Sequence, residues 1–212
     1  MTDRRQSSSA ALRNRQSIGD VLAQVLPPRG TVLEIAAGTG EHAVYLASRF
    51  PNHPWLATDC NPLALDSVAA WREFSPSPNL LAPIYLDVEN IPWPVESTPL
   101  PEPVSAVLAI NLVHISPWSA TEALLAGAGR ILPPGGLLYL YGPYRRRNQA
   151  LEPSNQAFDL SLRQRNPDWG LRELETVAAS AQTQGLTLAE TVPMPAQNLS
   201  LIFRPVAVPE SC

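Results

Sequence analysis

Val32-Leu33-Glu34-Ile35-Ala36-Ala37-Gly38-Thr39-Gly40-Glu41 decides the fold. A short apolar run over residues 31–36 feeds a Gly-x-Gly turn, and helical spacing then holds over 41–50 until Pro51 closes it. Strand, glycine turn, helix is the opening unit of an open α/β sheet. Glycine lets the chain bend sharply there and brings main-chain amides close to a ligand. Gly38-Thr39-Gly40-Glu41-His42-Ala43 also satisfies the loose G-x-G-x-x-[GA] pattern of nucleotide-binding turns.

Outward from that turn the alternation continues. Upstream, residues 10–26 carry Leu12, Ile18, Val21, Leu22, Val25 and Leu26 at near-helical spacing, and Pro27-Pro28-Arg29-Gly30 stops the helix. Downstream, a strand over 55–58 ends at Asp59, Pro62 opens a helix over 63–74, and a proline turn precedes a third strand over 80–88. Residues 89–103 hold Pro92, Pro94, Pro99, Pro101 and Pro103, which excludes helix and central strand and predicts a surface excursion. A strand over 104–113, apolar enough to be buried on both faces, leads to a helix over 121–132 and a strand over 137–141. After a polar, basic stretch, Ser154 is expected to cap a helix reaching about Arg165, and a further helix covers 171–184 up to Gly185. Strands over 186–192 and 199–204 are joined by a link too short for a crossover helix, so they must be antiparallel. The expectation is a single α/β domain over 10–205 with a Rossmann-like seven-stranded sheet. That sheet is mostly parallel, ends in an antiparallel hairpin and carries helices on both faces. Residues 1–9 are expected to be a flexible leader and 206–212 a tail.

Composition narrows the function. A chain of 212 residues, 45% hydrophobic, can bury one full core, and it holds no apolar run of about 18 residues that would span a membrane. A formal net charge of -4 argues against a nucleic-acid partner, whose phosphates call for clustered cations. All 15 basic residues are Arg, which excludes Schiff-base lysine chemistry and the lysine-dependent phosphate loop. Cys60 and Cys212 are too few for a disulfide framework, and three histidines without i,i+4 pairing predict no metal site. The polar Arg/Ser-rich start lacks an apolar core, which places the protein in the cytoplasm, with a transit peptide as the alternative. It is expected to act on a small molecule, away from membranes, as a monomer or homodimer.

The acids around the turn point to the ligand. Asp59 lies roughly 20 residues past the glycines at a strand end, where a carboxylate accepts ribose hydroxyls; otherwise it is a solvated strand-end acid. Glu34 and Glu41 flank the turn and would repel a pyrophosphate but attract a sulfonium bearing an α-amino group. This favours S-adenosylmethionine over a nicotinamide dinucleotide. Asp87, between Leu86 and Val88 at the end of the third strand, is either the partner of an adenine amino group or a loop-entry acid.

The same residues carry a resemblance. The chain resembles class I S-adenosylmethionine-dependent methyltransferases and, more narrowly, the family of uncharacterised proteins that includes methyltransferase-like protein 26. The matching segments are 10–15, 32–42, Asn111-Leu112-Val113-His114-Ile115-Ser116-Pro117-Trp118, 138–144, 153–159, Asp168-Trp169-Gly170 and 194–200, spread over roughly 10 to 204. The resemblance implies a methyltransferase sheet and a cofactor site at Glu34, Gly38, Gly40, Asp59 and Asp87; Ala36, His42, Val88 and Asn111 complete the expected set. It implies no substrate.

Methyl transfer is an in-line displacement that needs the acceptor close to the methyl group, and a base only where the nucleophile must lose a proton. The acceptor is expected beyond the strand ends, against Asn111, Trp118, Tyr141 and Tyr144. His114, at the expected pocket mouth, is either the general base or a hydrogen-bonded shaping residue, and Tyr144 is the other catalytic candidate. His42 either touches the methionine end of the cofactor or packs on the leading helix, and His53 is expected at the surface. Asn14 and Arg15 stand on the helix expected to cover the site. Asn155, Phe158 and Asp159 share one helical face that either binds substrate or is merely amphipathic. Asn198 faces the same cavity or closes the hairpin, and Arg145-Arg146-Arg147 is a solvated loop or an anion site. The rival readings are a noncatalytic S-adenosylmethionine-binding or interaction protein and an NAD-dependent oxidoreductase.

Overall fold

In the computed structural model, residues 3–206 are described. β1 (Thr31–Ile35) is buried along its whole length, paired in parallel with β2 (Trp55–Asp59) on one side and β4 (Val104–Ile110) on the other. β3 (Ile84–Tyr85) extends the sheet beyond β2, and β5 (Leu137–Gly142) pairs in parallel with β4. β7 (Asn198–Pro205) runs antiparallel to β5 and to β6 (Leu186–Met194), giving the order β3-β2-β1-β4-β5-β7-β6. This is the Rossmann-like methyltransferase fold with its C-terminal antiparallel strands. Strand order reverses between β1 and β4, which leaves a crevice at their carboxyl ends.

Period-two alternation divides the core into two layers. Val32, Ala57, Ala106, Leu108 and Tyr139 pack under α1 (Ser9–Val25) and α2 (Glu41–Arg49), with Val68 of α3 (Pro62–Phe74) beside them. Leu33, Ile35, Val107, Leu138 and Leu140 pack on the opposite face under α4 (Trp118–Ile131) and α6 (Leu174–Thr183). α5 (Pro153–Arg165) lies between β5 and α6 in the chain.

Several boundaries differ from the sequence reading. The third strand is two residues long because Pro83 has no N–H to give; Leu81 N and Leu86 N bond to Trp55 O and Asp59 O on either side of the gap. β4 stops at Ile110 because Asn111 takes a left-handed φ of 62° and throws the chain into a short turn at Leu112–His114. α5 starts at Pro153, so Ser154 is not its cap. α6 starts at Leu174, because Glu173 is held in a bridge to Arg145.

The proline-rich 89–103 stretch is anchored rather than free. Trp93 is fully buried and donates from Nε1 to Val88 O at 3.1 Å, and Glu96 pairs with Arg130 at 2.7 Å. His53 is likewise buried, its Nε2 2.8 Å from Pro27 O. The leader expected to be flexible lies across α3. Gln6 N donates to Ser67 Oγ at 2.8 Å, Trp71 Nε1 donates to Gln6 O at 2.9 Å, and the Arg5 guanidinium sits 3.6 Å from the Phe74 ring centroid. Residues 207–212, with Cys212, lie outside the described residues. Among the described residues no helix is long and apolar enough to cross a membrane.

Candidate functional site

A cavity of about 340 Å³ opens where β1 and β4 end. Its floor is the glycine turn. Ala36, Gly38 and Gly40 all take positive φ, at 56°, 56° and 84°. A Cβ on Gly40 would stand 2.9 Å from the Val68 backbone, so glycine is required for the turn to pack on α3. A Cβ on Gly38 would meet nothing within 4 Å, so the turn leaves open space at its apex.

Two carboxylates line this cavity. Asp59 Oδ2 accepts from Gly38 N at 2.9 Å and Oδ1 accepts from Asn61 N at 2.8 Å. Those bonds fix the carboxylate but use one lone pair of each oxygen, leaving the other available. Glu34 accepts from Trp55 Nε1 at 2.7 Å. Burial pushes its carboxyl up to about 7, the Trp55 bond pulls the other way, and the nearby Asp59 charge adds to the rise. Glu41 does not face the cavity. Its carboxylate is taken by Ser7 Oγ at 2.9 Å and by Ser8 N, which ties the leader to the start of α2.

His42 lines the cavity and also touches the leading helix. Its Nε2 lies 2.7 Å from Asn14 Oδ1, an atom that can only accept, so Nε2 carries the proton. Burial drags the imidazole down to about 4, which keeps it neutral. The remaining wall comes from Ala10 and Ala11 on α1, from Ile110 at the end of β4 and from Asn111, Leu112 and Ile115 after it. Asp87 and Val88 are not part of the cavity's lining. The chain turns at 87–90, where Asp87 Oδ1 accepts from Glu89 N at 3.0 Å, and Val88 is buried beside Trp93.

A second cavity, about 520 Å³, adjoins the first and shares Ala10 and Asn111 with it. Here Asn14, Tyr141, Asn155, Phe158 and Asn198 line one cavity, from α1, β5, α5 and β7. Asn198 does both things open to it: it lines the cavity and closes the hairpin, donating from Nδ2 to Pro195 O at 3.0 Å. Burial raises the Tyr141 phenol, partly offset by the Asn14 side chain.

Other expected residues stand elsewhere. The Arg15 guanidinium turns onto the Tyr45 ring, 4.9 Å from its centroid. Trp118 packs against the core with Arg172 5.9 Å from its ring and lines neither cavity. Asp159 is buried as a staple, accepting from Arg145, from Arg163 at 3.2 Å and from Leu171 N at 2.8 Å. Burial alone would raise its carboxyl, but those three donors hold it below the usual carboxylate range. Arg145 is thereby neutralised within the basic run.

His114 is fully buried, not at a pocket mouth, and among the described residues neither ring nitrogen has a partner. Burial drags it down to about 3, with the Arg172 charge acting in the same direction. It packs edge-on against Tyr144 at 4.6 Å, behind Gly142, where a Cβ would come within 2.4 Å of Nε2. Tyr144 is buried as well, its phenol raised by burial, and it faces a cavity of about 230 Å³ that shares Asn155 and Asn198 with the second. Neither residue lines the cavity that Asn14 and Asn198 share. The sequence reading also missed Ser8, Ala10, Ala11 and Arg13. The matched segment 10–15 was the available signal, but only the seating of the leader on Glu41 brings its start over the glycine turn. Among the described residues no group of three or more His, Cys, Asp or Glu is placed to hold a metal ion.

Solved structures share this arrangement of strands and helices. An O-methyltransferase family protein from Burkholderia thailandensis superposes with a TM-score of 0.74 at 17% identity, over 93% of this chain and 58% of its own. An O-methyltransferase family 2 protein from Planctomyces limnophilus, solved in complex with apigenin, gives 0.71 at 20% identity over 95% and 66%. Human N-acetylserotonin methyltransferase, in complex with S-adenosylmethionine, gives 0.72 at 15% identity over 93% and 53%. The chain thus spans between about half and two thirds of the length of these structures. In sequence, residues 5–205 match the family described as "Protein of unknown function (DUF938)", and the chain belongs to that family.

Proposed function

We propose that the chain is an S-adenosylmethionine-dependent methyltransferase acting on a small-molecule acceptor, within the narrower likeness to methyltransferase-like protein 26. The observation that carries this reading is the first cavity's lining: Glu34 and Asp59 stand over a glycine turn, with no Arg among the lining residues and His42 neutral. A dinucleotide pyrophosphate would find two acids and no cation there, whereas a sulfonium with an α-amino group is attracted. The residues fit the cofactor. The free lone pairs of Asp59 accept ribose hydroxyls, Glu34 faces the cationic end, and the open space at Gly38 admits the ligand to the main-chain amides. When bound, the cofactor supplies an electrophilic methyl group on sulfur. Ala10 and Asn111, common to both cavities, then form the wall at which an acceptor in the second cavity meets that methyl. Orientation is the main contribution of these residues, since effective molarity alone accounts for much of such a displacement.

Glu34 makes this reading testable by pH. With its carboxyl near 7, the side chain ionises between pH 6 and 8, and only the ionised form attracts a cation. S-adenosylmethionine affinity is therefore expected to rise from pH 6 to pH 8, and Glu34→Gln to remove that rise. The same group acts oppositely on the unliganded fold. Because its folded-state carboxyl is raised above the ordinary 4.5, the stability it contributes is full below about 4.5 and lost as pH climbs through about 7. A titration series in which the native chain and Glu34→Gln show the same pH slope would reject the assigned role.

A further inference from the structure

The second cavity carries a directional polarity. Arg13 is the one charged side chain in its lining; it is exposed and has no ion pair or hydrogen bond among the described residues. Beside it, Asn14 spends its amide oxygen on His42 and one Nδ2 hydrogen on the Tyr141 phenol, which leaves the other Nδ2 hydrogen as a donor. Across the cavity Asn198 spends Nδ2 on Pro195 O and Ala196 O, at 3.0 and 3.3 Å, which leaves Oδ1 as an acceptor. The α1 side thus offers positive charge and an N–H group, and that is the side carrying Ala10, the wall shared with the first cavity. The body between is flat and apolar, set by Phe158, Tyr141 and Pro195.

The cavity also lacks a base. No carboxylate or histidine lines it, His42 belongs to the wall of the first cavity, and His114 is sealed behind Gly142. A nucleophile that had to lose a proton during transfer would find no carboxylate or imidazole within this cavity to take it. From these observations we propose that the acceptor is a small planar acid whose nucleophile is an oxygen already ionised at neutral pH, a carboxylate or an acidic phenolate, held by Arg13 and Asn14. This rests on the reading of the first cavity as an S-adenosylmethionine site. The step balances without a proton: an oxygen lone pair forms the O–C bond to the methyl carbon while the C–S bond breaks onto sulfur. Anion and sulfonium become a neutral ester or ether and a neutral thioether. Arg13 acts as the positioning cation, and its planar guanidinium matches a carboxylate in a way an ammonium does not.

The test uses the purified full chain, labelled S-adenosylmethionine, and two sets of probes: benzoate, salicylate and 4-nitrophenol against aniline and benzyl alcohol. Label is expected in the acids and not in the amine or alcohol. Benzoate alone would assign a carboxylate and 4-nitrophenol alone a phenolate. The rate should be flat with pH wherever the acid is ionised, once corrected for cofactor occupancy. Arg13→Gln should lower kcat/KM for the labelled acid at least about tenfold with S-adenosylhomocysteine affinity unchanged, and Arg13→Lys should restore only part of it. Transfer to aniline or benzyl alcohol in preference to the acids overturns the proposal, as does an Arg13→Gln variant with native kcat/KM. S-adenosylhomocysteine binding with no label in any acid also overturns it while sparing the cofactor reading; loss of that binding in the native chain removes both.

Discussion

Replacing Asp59 with alanine is expected to lower affinity for S-adenosylhomocysteine by about a hundredfold or more and to leave a folded protein. The carboxylate is nine-tenths buried at the end of β2, oriented by the amides of Gly38 and Asn61. Two charge-assisted hydrogen bonds to a ribose, at about 1.5 kcal/mol or more each, correspond to roughly two orders of magnitude in Kd. The turn also loses its anchor, since Gly38 N has no other acceptor and is left to water in the open cavity. Because that space is accessible to solvent, the loss in Tm should be a few degrees only. Calorimetric titration and a melting curve on the same sample separate the two effects. Native affinity in Asp59→Ala would remove Asp59 from the site.

A second large effect is expected far from the cavities. Gly127 lies on the buried face of α4, and a Cβ there would stand 2.0 Å from Trp93 Cζ2. Trp93 has no exposed surface and is held by its bond to Val88 O, so it cannot swing aside without opening the core. Gly127→Ala should gain up to about 1 kcal/mol in helix propensity yet lose about 3 kcal/mol to overpacking, a net cost of about 2 kcal/mol. In a domain of this size that lowers Tm by roughly 4–8 °C, which differential scanning calorimetry resolves. An unchanged or raised Tm would mean that the 89–103 stretch is not seated on α4.

These two positions mark what the sequence made legible and what it did not. The glycine turn, the acid at the end of β2 and the antiparallel ending follow from local rules: glycine at positive φ, a carboxylate at a strand end, a link too short to cross over. Asn14, Tyr141, Asn155, Phe158 and Asn198 could be proposed together because each sits beyond a strand end or on a facing helix, and they line one cavity. Local rules fail where long-range packing decides. Trp93 reads as part of a proline loop, yet a hole at Gly127 takes it inside. His114 has the chemistry of a base, but only the course of β5 through Gly142 reveals that it is sealed off. Asp159 shares a helical face with Asn155, and its role is fixed by Arg145 and Leu171, whose approach no helical periodicity encodes. The covering of the glycine turn by the leader depends on Ser7 and Ser8 finding Glu41, a pairing invisible in a segment read as free.

The most direct measurement is calorimetric titration of the purified chain, stripped of carried-over ligand, with S-adenosylhomocysteine and with NAD in parallel. A cavity lined by Glu34 and Asp59 without a cation predicts micromolar binding of S-adenosylhomocysteine and none of NAD. Binding of NAD alone, or of neither, would contradict the account.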